Sequence, residues 1–265
     1  MIIEFIGAPG AGKTTLLPAV AHFFESRGCR AYTVVGAARP FACRTIAGKL
    51  VQWLAPAVLK RPLLWRVFYL HSVGHRLSFI AQRPGLVRQM LASQRGRPAA
   101  ADTQQRQVLP WLFRHMGYHK FLHHHARHDE VLLFDEGFSH RVVQLFTSSA
   151  EKPDSTQIAA YINRLPPPDL LIHVQASAAV CERRIYERGL WQRAQHKEPA
   201  EIAQFVCHAH EAVELAVAHA RHKQWQVLQV ANDGVDLTAV QTNLHQQLAQ
   251  ISLGRQPVWE VQTAA

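Results

Sequence analysis

Gly7 and Gly12, with Lys13 and Thr14 directly after them, constrain the fold of this chain more than any other feature. Gly7-Ala8-Pro9-Gly10-Ala11-Gly12-Lys13-Thr14-Thr15 satisfies G-x-x-x-x-G-K-[ST] at every fixed position. Ile2-Ile3-Glu4-Phe5-Ile6 before it is short, apolar and β-branched, and Leu16, Leu17, Val20, Ala21, Phe23 and Phe24 follow at helical spacing. A strand, a glycine turn and a helix in that order make a phosphate cradle. Glycines permit backbone angles that a β-carbon forbids, so successive N–H groups can turn toward one anion. The helix that opens at Lys13 adds the positive end of its dipole. In this pattern residues 7–15 hold a nucleoside triphosphate, Lys13 reaches its β- and γ-phosphates, and the Thr14 hydroxyl ligates Mg²⁺.

The chain has 265 residues, enough for one large α/β domain, 1–265. The first strand runs straight into the glycine loop with no basic leader or cleavage site, so no signal peptide is expected. The most apolar helical stretch, Pro62 to Leu70, carries Arg66 in its middle and is too short to span a bilayer. Cys29, Cys43, Cys181 and Cys207 are scattered, which suits reduced thiols and a cytoplasmic protein better than a disulfide framework. The net charge of +10 is concentrated: residues 40–130 hold fourteen Lys/Arg against three Asp/Glu, and the remainder nearly cancels. This basic, helical segment reads as an insertion that covers the phosphate site and attracts anionic substrates. Nucleic acid or an anionic membrane surface is the less favoured partner.

Periodicity predicts alternating strands and helices: strands at 2–6, 30–35, 131–134, 170–174 and 225–230, with helices at 13–26, 139–149, 155–164, 178–188, 199–222 and 237–251. The insertion reads as helices at 43–55, 62–82, 84–94 and 103–126, broken at Pro56, Pro62, Pro84 and the 95–98 loop. Residues 255–265 read as a loose tail. Such alternation implies an α/β fold with a parallel sheet covered on both faces.

Two further constellations carry chemistry. Phe134-Asp135-Glu136-Gly137 ends the third strand, where a phosphate-loop protein places the carboxylate that organises Mg²⁺. Asp135 is the expected metal ligand, and Glu136 the residue that accepts a proton from, or binds, the attacking hydroxyl. On the later helix Arg184 and Arg188 share one face, Gly189 ends it, and Arg193 follows; these arginines are expected to neutralise transferring phosphate. The alternative pairs them with Glu182 and Glu187 on a solvated face. His140, beside the acids, is a candidate for proton transfer or a helix-start surface residue. The His123-His124-His125 run with His128 lacks the partner pattern of a metal site.

Taken together, the N-terminal phosphate loop, Asp135-Glu136-Gly137, and the strand Pro168-Asp169-Leu170-Leu171-Ile172-His173-Val174 before an arginine-rich helix resemble the P-loop kinases. The nearest branch is that of thymidylate, nucleoside and nucleoside monophosphate kinases. The resemblance covers about 1–36 and 130–250. It implies a five-stranded sheet in the order 2-3-1-4-5, ATP–Mg²⁺ as phosphoryl donor, and a mobile lid bearing Arg183, Arg184, Arg188 and Arg193. It also places Asn232 where the adenine ring packs. The family usually has an arginine just after the acid of the third strand. Here Glu136 holds that place and the nearest arginine is Arg141, which points away from thymidylate and leaves another nucleotide, a nucleoside, a sugar, a lipid-linked intermediate or a related metabolite as the acceptor. No Asn-Lys-x-Asp guanine reader or Leu-Ser-Gly-Gly-Gln-like signature is present. The leading expectation is an ATP-dependent small-molecule kinase. The rival is an ATPase or switch whose basic insertion grips an anionic polymer such as nucleic acid. Oligomeric state is not legible.

Overall fold

Parallel strands with both faces covered need long crossovers, and each crossover here carries at least one helix. The computed structural model describes residues 1–94, 105–190, 195–234 and 236–251. The strands are β1 (Ile2–Ile6), β2 (Arg30–Thr33), β3 (Glu130–Phe134), β4 (Leu170–Gln175) and β5 (Val227–Ala231), all parallel in the order β2-β3-β1-β4-β5. Helix α1 (Lys13–Glu25) leaves the central strand. Helices α2 (Val34–Ala42), α3 (Ile46–Leu54), α4 (Ala57–Gln82), α5 (Pro84–Ala92) and α6 (Gln105–His125) lie between β2 and β3. A 3₁₀ turn (Ser139–Arg141), α7 (Val142–Phe146) and α8 (Ser155–Ile162) precede β4. Helices α9 (Ala178–Arg188) and α10 (Pro199–His222) lead to β5, and α11 (Leu237–Gln250) follows it. The five-stranded sheet and its order agree with the sequence expectation.

Strand alternation sorts the core. Ile3 and Phe5 of β1 join Leu133, Ile172 and the apolar face of α1, while Ile2 and Ile6 face the other way with Leu132 and Leu171. Glu4 shares this second face, and it is buried. A charged residue in the centre of a parallel sheet needs partners, and those partners define part of the site described below.

Several boundaries differ from the sequence reading. β2 stops at Thr33 rather than residue 35, because the Thr33 side chain accepts the Gly36 N–H and caps α2. One helix expected at 43–55 begins instead after a second cap, Thr45, which accepts from Gly48 N. α4 runs through Pro62 instead of breaking there. The carbonyl that Pro62 leaves unpaired belongs to Val58, in an exposed first turn where water can reach it. The helix expected at 139–149 is a 3₁₀ turn followed by one short α segment that ends at Phe146. β5 starts at Val227, two residues late. The expected 95–98 loop and the 255–265 tail lie outside the described residues.

Candidate active site

Two glycines of the loop at residues 7–15 adopt backbone angles that a β-carbon disfavours. Gly10 and Gly12 have φ of 85° and 94°, in the left-handed region. Space is short as well: a β-carbon on Gly10 would lie 2.4 Å from the Cys181 carbonyl oxygen, and one on Gly12 would lie 2.3 Å from Asn232 Nδ2. The loop is therefore pressed between the first turns of α9 and the end of β5. Asn232 donates to the Ala11 carbonyl at 2.7 Å, and its own N–H donates to Gln175 O. Asn232 lines the cleft, yet its amide is spent on bracing the loop.

Lys13 is buried and folds back over the loop, donating to Gly7 O at 2.8 Å and Ala8 O at 3.2 Å. Burial pulls its ammonium down to about 8, with Arg188 adding to the drop and Glu136, Cys181 and Asp135 opposing it. Those two carbonyls hold the ammonium over the loop. Arg184 lies over the same loop. Its Nη2 donates to Gly234 O at 3.3 Å, whereas its Nη1 is buried and has no protein partner. A buried guanidinium nitrogen without an acceptor, beside a glycine cradle, fits an anionic ligand. Arg183, one residue away, instead pairs with Glu187 at 3.6 Å on the exposed side of α9.

The loop, α9 and the residues after β3 enclose a cleft of about 740 Å³. Pro9, Gly10, Gly12, Lys13, Thr14 and Thr15 form its floor, and Arg184 and Arg188 one wall; Glu136, His140, Val143 and Gln144 form another. Gly7, Ala8 and Ala11 belong to the loop but do not line the cleft, and Arg193 lies outside the described residues. Asp135, half-buried at the end of β3, accepts the Glu136 N–H on Oδ1 at 3.0 Å. No group of three or more His, Cys, Asp or Glu converges on a metal position among the described residues. The side-chain oxygens lining the cleft are hard donors, the Thr14 and Thr15 hydroxyls and the Glu136 and Glu187 carboxylates, and Asp135 follows β3 without lining the cleft itself. That sparse set fits Mg²⁺, which takes few protein ligands and completes its shell with phosphate and water.

Glu136 is held by Arg141. Its Oε2 accepts from Arg141 Nη1 at 3.0 Å, and its main-chain carbonyl accepts from Nη2 at 2.7 Å. Arg141 is buried, its guanidinium carbon lies 3.2 Å from the centre of the Trp111 ring, and Nη1 also donates to Gln144 Oε1 at 2.9 Å. Burial lowers its pKa only to about 10, so it stays charged. The link between Glu136 and the basic segment therefore passes through Arg141 and Trp111 of α6. His140 is not a surface residue: it is buried, lines the cleft and has an unpartnered Nδ1. Desolvation, with Lys13 and Arg141 nearby, holds it well below the usual histidine range, so it is neutral at pH 7.

Glu4 is the residue that motif reading missed. Its carboxylate accepts from Phe138 N at 3.2 Å, and from Ser139 N and Ser139 Oγ at 2.9 and 2.7 Å. It also fills the space beside Gly137, where a β-carbon would lie 2.3 Å from its Cδ. The residues after Asp135 and Glu136 are thus pinned to the central strand. Burial raises the Glu4 pKa, and these hydrogen bonds oppose the rise. The signal was present in the sequence as one acid inside an otherwise apolar first strand.

No protein-family model matches the chain, and no curated protein sequence does. Similar solved structures include a deoxyadenosine kinase from M. mycoides with bound dCTP, at 11% identity and a TM-score of 0.43, covering 95% of this chain and 100% of the other. The same enzyme with bound dATP matches at 13% identity and a TM-score of 0.44, covering 94% and 100%. Likenesses this distant decide nothing about activity, and the functional reading rests on this chain's own residues.

Proposed function

We propose that the protein is an ATP-dependent phosphotransferase that moves the γ-phosphoryl group of a nucleoside triphosphate to the hydroxyl of a small molecule. The supporting observation is a single cleft in which phosphate-directed cations and an oriented carboxylate meet. Lys13 and the unpartnered Nη1 of Arg184 approach the cradle, and Glu136 stands on another wall with its direction fixed by Arg141.

Lys13 and Arg184 neutralise charge on the donor phosphates as it shifts toward the leaving oxygen. Arg188 adds positive potential from the next turn of α9. Thr14 and Asp135 would hold Mg²⁺, which supplies charge neutralisation across the donor phosphates when bound. Glu136 accepts the hydrogen of the acceptor hydroxyl and aims its oxygen in line. Gln144, whose carbonyl oxygen is taken by Arg141, turns its amide nitrogen away from that bond and offers a donor to the acceptor.

The acceptor class follows from charge. Arg141 is buried behind Glu136, His140 is neutral, and Val143 is apolar, so this wall offers no exposed cation among the described residues. A neutral hydroxyl compound such as a nucleoside or sugar suits it better than a nucleoside monophosphate, whose charge would meet Glu136. That favours the nucleoside branch of the resemblance over the thymidylate branch. The test is transfer of γ-label from ATP with Mg²⁺ to a panel of nucleosides, nucleoside monophosphates, sugars and sugar phosphates. Label on a neutral hydroxyl compound is the expected outcome. Label on monophosphates alone would overturn the acceptor class, and release only as inorganic phosphate would overturn the transferase.

A further inference from the structure

Helix α3 is apolar on the side that faces away from the protein. Its inner face is accounted for: Ala47 and Val51 pack on the core, and Gly48 lies so close to α2 that a β-carbon would overlap the Ala42 carbonyl. Ile46, Leu50, Trp53 and Leu54, spaced i, i+4, i+7 and i+8, form a single stripe on the opposite side, where solvent would ordinarily select polar residues. Ile46 and Trp53 are each 81% exposed and Leu54 66%. Beyond Pro56, in the first turn of α4, Val58 is 86% exposed and Leu59 is exposed too. Tyr69 and Leu70, farther along α4, border a shallow recess shared with Trp65 and Arg66. Scattered exposed apolar residues are ordinary, but a continuous apolar stripe marks a contact surface.

The charge around the stripe has one sign. Lys49, Lys60, Arg61 and Arg66 are set along it, and none has a carboxylate partner among the described residues. The sequence has no Asp or Glu from Ser26 to Ala101, so α2 through α5 carry no acidic residue at all. Protruding aliphatic side chains, tryptophan and tyrosine, and a wholly cationic border together match a bilayer interface. Apolar groups enter the acyl boundary, aromatic rings sit at headgroup depth, and Lys and Arg meet lipid phosphates. No helix among the described residues is long and apolar enough to cross a membrane, so contact would be from one side.

We propose that α3 and the first half of α4 form an interfacial docking surface for an anionic lipid bilayer. A second copy of the chain is a poorer occupant. In a two-fold contact each patch meets itself, which would set lysines and arginines against one another with no acid to pair them. Nucleic acid is also poorer, because it would use the cations and leave the protruding aliphatic stripe in water.

The test is flotation of the full chain with phosphatidylcholine vesicles, with and without phosphatidylglycerol, alongside intrinsic tryptophan emission. Wild-type protein is expected to partition at least about tenfold more strongly onto vesicles containing phosphatidylglycerol, with a blue shift and a loss of binding at high salt. The double variant Leu54→Asp/Val58→Asp, at two exposed positions, is expected to lose roughly tenfold or more of that partition. It should keep its circular dichroism and nucleotide binding. Partition of the variant equal to wild type, or no partition of wild type on either vesicle, overturns the proposal. So does a wild-type dimer that fails to bind vesicles and that the variant converts to monomer, which would assign the stripe to a second copy.

Discussion

The floor of the cleft and the wall that carries Glu136 are built by different means. The floor comes from one continuous stretch, Gly7 to Thr15, whose conformation is set by its own glycines and braced by Asn232 and Cys181. The wall that carries Glu136 is assembled from distant parts of the chain: Glu4 from β1, Trp111 from α6, and Arg141 and Gln144 from the segment after β3. A local loop can serve any triphosphate donor, because every donor presents the same phosphates. An assembled wall can be changed piece by piece, which suits the acceptor side of the proposed transferase.

The largest expected effect tests the local floor. Lys13→Ala should lower turnover by at least about 10³-fold while circular dichroism and melting behaviour stay intact. Single-turnover assays with labelled ATP would show it, and retained turnover would mean that the cradle holds its phosphates without this lysine. Next comes the assembled wall. Glu136→Gln should reduce kcat by roughly 10²-fold with little change in the KM for ATP. A loss seen only in the KM for ATP would place Glu136 on the donor instead.

Proton linkage offers a smaller but sharper comparison. In the free protein the Lys13 pKa is lowered to about 8, so above that pH the lysine must take up a proton before it can meet phosphate. Nucleotide affinity should therefore weaken as pH rises past 8, by up to about tenfold per unit. Calorimetry in two buffers of different ionisation enthalpy should show proton uptake on binding, and Lys13→Ala should abolish it. A pH-independent affinity would mean that the lysine is already fully charged in the free state.

The last test concerns the pin beneath Asp135 and Glu136. Glu4→Gln sets an amide NH₂ against donors that now share a carboxylate, and should cost about 1–3 kcal/mol in urea unfolding. The opposing term is relief from burying a charge, since burial raises the Glu4 pKa. A raised carboxylate pKa in the folded state means that folding favours the protonated form, so this residue's contribution falls as pH rises from the unfolded value through the folded one. If burial of the charge outweighs the hydrogen bonds, the variant will be more stable at pH 7 than wild type. The pin would then be an electrostatic burden kept for the sake of the site.

The sequence disclosed the local floor because every part of it lies within one motif, and it disclosed the sheet because five apolar runs alternate with helical ones. It pointed to Glu136, which lines the cleft, because the acids follow a strand; Asp135, its expected metal-binding neighbour, does not line the cleft. The bond between Arg141 and Glu136 was not legible, since it depends on a 3₁₀ turn where an ordinary helix was expected and on a tryptophan from α6. Nor could the exposed stripe of α3 be read: periodicity says that apolar residues share a face, not what that face meets. Pro62 does not end α4, because the Val58 carbonyl it leaves without a donor lies in an exposed first turn.

The close approach of Gly10 to the Cys181 carbonyl limits how the arginine helix can move. Cys181 lies in the first turn of α9, so that turn is clamped against the loop. Arg184 is less than one turn beyond the clamp, Arg188 is one turn farther, and the helix ends at Gly189. Motion in α9 should therefore resemble the flexing of a cantilever, negligible at its root and growing toward its tip. Backbone amides near Cys181 should exchange with deuterium as slowly as those of the sheet, those near Arg188 far faster. The two arginines would then divide their work by stiffness: one a fixed electrode, the other a moving contact that arrives with the substrate.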